Sequence, residues 1–124
     1  MTREQALAAR LLWCCEIPSP TGDEGALADA LTARLASLRL AAPLSRIGDS
    51  LVVELTRGTG GPLVVLLGHL DTVRTRHAGP PRVDGDRLYG PGAADMKSGL
   101  ALMLDLAEAP RRPAVDLTLV FYAG

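Results

Sequence analysis

The stretch "PLVVLLGHLDTV", residues 62–73, decides how this chain reads. Its first part, Leu63 to Leu67, is an unbroken apolar run rich in Val and Leu, the composition of a strand buried on both faces of a parallel sheet. Its second part delivers His69 and Asp71 to the carboxyl end of that strand. Side chains alternate along an extended segment, so His69 and Asp71 point the same way while Leu70 points into the core. Neutral imidazole is a common metal ligand, and a ligating histidine usually donates its other ring N–H to a carboxylate. The same residues also read as an ordinary polar loop start.

Upstream, Leu7, Leu11 and Leu12 recur at helical spacing from about Thr2 to Cys15, and Pro18 and Pro20 forbid continuation. "TGDE", 21–24, has the spacing of a capping box, and Leu27, Leu31, Leu35 and Leu38 follow on one face, predicting a second helix to about Leu40. "LSRIGDSLVVEL", 44–55, reads as a hairpin around Gly48-Asp49-Ser50.

Downstream, Asp84-Gly85 in "RVDGDRLYG" marks a second tight turn. Leu100, Met103, Leu104 and Ala107 predict a third helix from Met96 to Glu108, ended by Pro110, and Leu117 to Tyr122 is strand-like. Strand, helix, strand in that order favours a parallel pair joined by a crossover. Such sheets bind ligands outside the carboxyl ends of their strands, which is where His69 falls.

"LYGPGAADMKSG", 88–99, supplies a second candidate, Asp95. As a helix N-cap it is worth about 1 kcal/mol, with Lys97 solvated beside it. A phosphate-binding loop would need Gly immediately before the Lys, where Met96 stands, which argues against nucleotide binding by that route.

The 124 residues are 48% hydrophobic and 22% charged, with 13 basic and 14 acidic side chains giving a net charge of −1. These are the proportions of a globular domain, and the interspersed charges provide no dedicated nucleic-acid or membrane surface. No apolar run approaches the roughly 20 residues of a bilayer span, and Glu4 interrupts any leader, so a cytoplasmic address is expected. Aromatic residues are 3% of the chain, leaving aliphatic side chains to fill the core. Adjacent Cys14 and Cys15 read as two small buried side chains on a helix face, because vicinal cysteines rarely bridge.

Together, "EIPSPTGDE" (16–24), "GHLDTV" (68–73), "DGDRLYG" (84–90), "DMKSG" (95–99) and "DLTLVFY" (116–122) resemble the zinc-dependent aminoacylase and carboxypeptidase group of metallohydrolases. Within it, the likeness is to the desuccinylases that act on N-succinyl-diaminopimelate. The resemblance implies an α/β fold, with residues 1–124 forming an incomplete N-terminal portion of a zinc-peptidase-like catalytic domain. A mixed, largely parallel sheet flanked by helices is expected. It further implies a two-zinc amidohydrolase, with cobalt as a possible substitute. His69 would be a ligand of one zinc, Asp71 the catalytic carboxylate orienting it, and Asp95 the carboxylate bridging both ions, with a cis peptide after it.

The residue types suit that chemistry. Amide hydrolysis at neutral pH needs an activated water and stabilisation of the developing oxyanion, which two metals about 3.5–4 Å apart provide together. The family's Glu-Glu pair, a general base followed by a metal ligand, would fall immediately after Gly124. A later acidic ligand, a distal histidine and a second domain that pairs subunits into a homodimer are likewise expected outside residues 1–124. His77 reads as a loop histidine, not a substitute ligand. Pro91 between the two glycines and Arg74 after "DTV" depart from the family's habits. The implied substrate is a small N-acyl amino acid, N-succinyl-diaminopimelate, cleaved to succinate and diaminopimelate for lysine and cell-wall precursor synthesis. Alternatives are acetylornithine deacetylase or a dipeptidase or carboxypeptidase of the group, a non-catalytic binding module, and a plain α/β domain in which Asp95 only caps a helix.

Overall fold

The computed structural model describes residues 1–74, 79–109 and 113–124. Helix α1, Arg3–Cys15, opens with a reciprocal capping box: the Gln5 N–H donates to the Thr2 hydroxyl and the Thr2 N–H donates to Gln5 Oε1. Two donors that the first turn would leave orphaned are thereby satisfied. Helix α2, Gly25–Ala36, is shorter than its leucine pattern predicts. The capping box expected at Thr21 does not form, because the Thr21 hydroxyl donates to the Asp71 carboxylate and Glu24 takes the N-cap position without a side-chain bond.

Strands β1, Ser45–Ile47, and β2, Ser50–Glu54, form the expected hairpin, with Gly48 at φ +61° in its turn. Strand β3, Leu63–His69, is followed by the small antiparallel pair β4, Arg82–Asp84, and β5, Arg87–Tyr89. Helix α3 runs from Ser98 to Glu108 and leads to strand β6, Asp116–Tyr122. The helix starts two residues later than its apolar pattern predicts, because a wide turn at Ala93–Lys97 precedes it. The expected stop at Pro110 and the loop reading of His77 lie outside the described residues.

The main sheet has the order β1-β2-β6-β3 and is mixed: β3 and β6 are parallel, the other two pairs antiparallel. The β3–α3–β6 crossover makes the parallel pair that the sequence order favours. Register puts Leu51 and Val53 of β2, Leu117, Leu119 and Phe121 of β6, and Val64 and Leu66 of β3 on one face. Leu27, Leu31 and Leu35 of α2 and Leu100, Met103 and Leu104 of α3 cover it. Each fully buried leucine contributes roughly 1.5–3 kcal/mol of transfer free energy. Among the described aromatic side chains only Phe121 is fully buried, so this core is aliphatic, as the composition implies.

The expectation that β3 is buried on both faces is corrected. It is an edge strand, and Leu63 and Leu67 on its outer face are 69% and 62% exposed. An apolar run reports that both faces suit a nonpolar neighbour; it does not report which neighbour is present.

Three helices are tied across the covered face by one charge cluster. Arg10 of α1 donates to Glu108 at 2.8 Å and to Asp105 at 3.3 Å, while Arg34 of α2 donates twice to Glu108 at 2.6 and 2.8 Å. Cys14 and Cys15 are free and buried, and burial raises both thiol pKa values, that of Cys14 to about 12. Such thiols are protonated and inert at neutral pH. Among the described residues no helix is long and apolar enough to cross a membrane.

Candidate metal centre

The parallel ladder continues one step past β3, where the Leu70 N–H donates to the Tyr122 carbonyl at 2.8 Å. Leu70 is fully buried, and His69 and Asp71 emerge together on the other side, as strand alternation requires. His69 Nδ1 lies 2.9 Å from the Asp71 carbonyl oxygen and 3.1 Å from Asp71 Oδ1. Both partners are acceptors, so Nδ1 carries the ring proton. Neutral imidazole then presents the Nε2 lone pair, and Nε2 faces Asp95 Oδ1 at 3.0 Å.

A lone pair and a carboxylate oxygen at that distance repel unless the ring takes a second proton or a cation joins them. The electrostatics agree. Partial burial opposes a charge on His69, but the hydrogen bonds to Asp95 and Asp71 and the two carboxylate charges outweigh it, so its pKa lies above the ordinary histidine value.

Asp95 arrives by a different route. Gly92, at φ +74°, begins the wide turn, which closes with the Lys97 N–H donating to the Gly92 carbonyl at 2.8 Å. A Cβ at Gly92 would lie 2.4 Å from Thr72 Cγ2, so glycine lets this loop press against the segment after β3. The Asp95–Met96 peptide is cis, and Met96 Sδ accepts from the His69 N–H at 3.3 Å. No side chain caps α3 and the Asp95 side chain is 83% exposed, which rules out the helix-cap reading.

Lys97 also differs from expectation. It is not solvated but fully buried, with Nζ donating to the Cys14 and Ile17 carbonyls at 2.8 Å each. Desolvation lowers its pKa, while the two carbonyls at the end of α1 satisfy it. The lysine thereby ties the Asp95 turn to α1. No periodicity marked it, because a single Lys at a helix start has the pattern of a surface residue.

Thr21 is the other residue the sequence reading misplaced. Its hydroxyl donates to Asp71 Oδ2 at 2.6 Å, opposite the oxygen that faces His69. That bond is the largest influence holding the Asp71 carboxyl below the usual range; slight burial opposes it and the His69 charge adds to it. Glu24 is buried nearby and accepts from the Gly124 N–H at 3.1 Å. Gly124 itself packs so closely that a Cβ would lie 2.7 Å from Asp71 Cγ.

The structure therefore brings His69, Asp71 and Asp95 together. Imidazole nitrogen with carboxylate oxygen is a donor pair that zinc accepts. Their 3.0 Å separation is close to the roughly 3.3 Å between two donors that each lie about 2.0–2.1 Å from a tetrahedral ion. The donor set fits a metal but is partial: among the described residues no group of three or more His, Cys, Asp or Glu is placed to hold one.

Known proteins supply context for this geometry. Residues 65–124 match the profile described as Peptidase family M20/M25/M40. A Corynebacterium glutamicum succinyl-diaminopimelate desuccinylase is 38% identical over 112 residues, covering 86% of this chain and 30% of that protein. Carboxypeptidase G2 of a Pseudomonas species is 37% identical over 99 residues, covering 71% of this chain and 24% of that protein. Among solved structures, a Staphylococcus aureus tripeptidase superimposes with a TM-score of 0.83 at 26% identity, covering 100% of this chain and 37% of that one. The chain thus spans between 24% and 37% of the length of these relatives.

Proposed function

We propose that this chain, whose residues 65–124 match the profile of peptidase family M20/M25/M40, is the N-terminal portion of a metal-dependent amidohydrolase of that family. In this reading His69 and Asp95 are metal ligands, and Asp71 orients His69 and fixes its tautomer. The observation that carries it is the polarity of the His69 ring: Nδ1 is met by two acceptors, and Nε2 is aimed at a carboxylate 3.0 Å away. A cation between Nε2 and Asp95 removes that conflict without a second proton.

The residues divide the work by position. Asp71 holds the ring proton on Nδ1 and so keeps Nε2 available as a donor. Asp95, exposed and uncapped, offers both carboxylate oxygens and can bridge two ions. Two bound zinc ions would supply a reactive nucleophile at neutral pH and Lewis acidity toward the amide oxygen. The general base, the remaining ligands and a second, subunit-pairing domain belong to the same proposal and lie outside residues 1–124. The isolated 124-residue segment is accordingly expected to show no turnover.

The proposed substrate is a small N-acyl amino acid, N-succinyl-diaminopimelate first, because a relative named for that reaction matches 86% of the chain. The second reading is a peptide-cleaving member of the family, favoured by the likeness to the tripeptidase along the full chain. Assay of the complete polypeptide against N-succinyl-diaminopimelate, N-acetylornithine, di- and tripeptides separates the two. Selective release of succinate supports the first; peptide cleavage with no succinate release overturns it in favour of the second. Failure on every amide, with metal bound, would leave a non-catalytic binding module.

A further inference from the structure

Thr21 lies outside the three residues assigned above, yet it contacts the carboxylate on which His69 depends. We propose that Thr21 is a positioning residue for the metal centre: its hydroxyl sets the rotation of the Asp71 carboxylate, and through it the orientation and tautomer of His69. The inference rests on the metal-ligand reading of His69 and Asp95.

The geometry assigns one task to each Asp71 oxygen. Oδ2 accepts from the Thr21 hydroxyl at 2.6 Å, and Oδ1 lies 3.1 Å from His69 Nδ1. The terminal torsion of an aspartate is broad, so a carboxylate held at one oxygen only would sample many orientations. Holding both oxygens selects one. Gly124 closes a further side, since even a methyl-sized group there would overlap the carboxylate.

Thr21 is itself held by its backbone rather than by its rotamer alone. Its N–H donates to the Thr72 carbonyl at 3.1 Å, and the Thr72 N–H donates to the Ser19 carbonyl at 2.9 Å. The Ser19 hydroxyl, fully buried, donates to the Leu70 carbonyl at 2.7 Å. Residues 19–21 therefore run beside residues 70–72 as a short parallel rail, including a bridge between Pro20 and Thr72. The rail brings the hydroxyl to Asp71 from the same backbone segment that carries the histidine. Thr21 occupies this position instead of capping α2, so its hydroxyl serves the site and not the helix.

The test uses the complete polypeptide with Thr21→Val, which keeps the shape and removes the hydroxyl, Thr21→Ser, which keeps the hydroxyl, and His69→Ala. Zinc affinity is measured by chelator competition, together with the visible spectrum of the cobalt-loaded protein and thermal unfolding of the metal-free proteins. Thr21→Val is expected to weaken zinc binding about tenfold, the lower end of the loss seen when a partner of a metal ligand is removed, and to alter the cobalt spectrum. Thr21→Ser should restore both. The metal-free proteins should unfold within a few degrees of one another, which a merely structural role for Thr21 would not give. If Thr21→Val binds zinc like the wild type while His69→Ala loses it, or if Ser fails to rescue, the positioning role is overturned and the metal reading stands. If His69→Ala retains zinc unchanged, the metal reading fails and the role of Thr21 falls with it.

Discussion

His69 Nε2 and Asp95 Oδ1 lie 3.0 Å apart although 26 positions separate the two residues in the chain. One comes off the end of β3 and the other from the turn before α3, so the crossover that makes β3 and β6 parallel also closes the site. Asp95 contributes no cap to that helix. Asp95→Ala in the metal-free protein is therefore expected to change unfolding free energy by no more than about 0.5 kcal/mol, as at other exposed positions. A loss near 1 kcal/mol in urea unfolding, the value of a helix cap, would restore the structural reading.

Lys97 should behave in the opposite way. Replacing it with Met keeps much of the volume but removes the donor of the Ile17 carbonyl, while the Cys14 carbonyl keeps the Ile17 N–H at 3.3 Å. An unpaired buried acceptor costs about 1–3 kcal/mol, partly offset here because a desolvated cation is also removed. A net loss of about 1–2 kcal/mol in urea unfolding is expected. A variant as stable as the wild type would show that the tie between α1 and the Asp95 turn carries no weight.

Gly92 tests the close approach of the two site segments. An alanine there meets both an unfavourable φ of +74° and a contact of 2.4 Å with Thr72 Cγ2. Gly92→Ala is expected to cost about 2 kcal/mol or more and to lower metal affinity, because the turn must withdraw from the segment after β3. Unchanged metal affinity in a titration would show that the Asp95 turn does not depend on this contact.

Glu108 gives the fold a dependence on acid. Burial alone would raise its pKa, but the hydrogen bonds and charges of Arg34 and Arg10 outweigh it and bring the carboxyl below its ordinary value of 4.5. The groups facing it are Arg10 from α1 and Arg34 and the neutral Cys14 thiol from α2 and α1, with Asp105 on its own helix sharing Arg10. A carboxyl depressed in the folded state stabilises fully above its unfolded pKa, and the contribution disappears as pH falls through the folded value. Stability should thus decline below about pH 4.5, and Glu108→Gln should flatten that decline while costing about 1–3 kcal/mol at neutral pH. An identical acid profile in urea unfolding from pH 3 to 7 would contradict it.

Much of this architecture is legible in the chain itself, for reasons that differ by residue. His69 and Asp71 could be paired from alternation alone, because strand geometry leaves them no other relation. Asp95 carried two readings, cap and ligand, since a polar residue before a helix suits both; only the wide turn at 93–97 separates them. Thr21 was misread because Thr-x-x-Glu before a leucine pattern is the signature of a capping box, and a hydroxyl's choice between its own helix and a distant carboxylate is a tertiary matter. Lys97 offered no signal, as the acceptors that permit its burial lie 83 and 80 positions away. The open face of β3 was likewise beyond composition, which records apolarity and not the neighbour that covers it.

The most direct test of the central claim is the metal content of the complete polypeptide, purified and desalted, in wild type and in His69→Ala, with folding checked by circular dichroism. The expected result is two zinc-class ions per wild-type chain and a loss of metal with an intact fold in the variant. Equal metal content in the two proteins would contradict the assignment of His69 as a ligand, and with it the reading of this site.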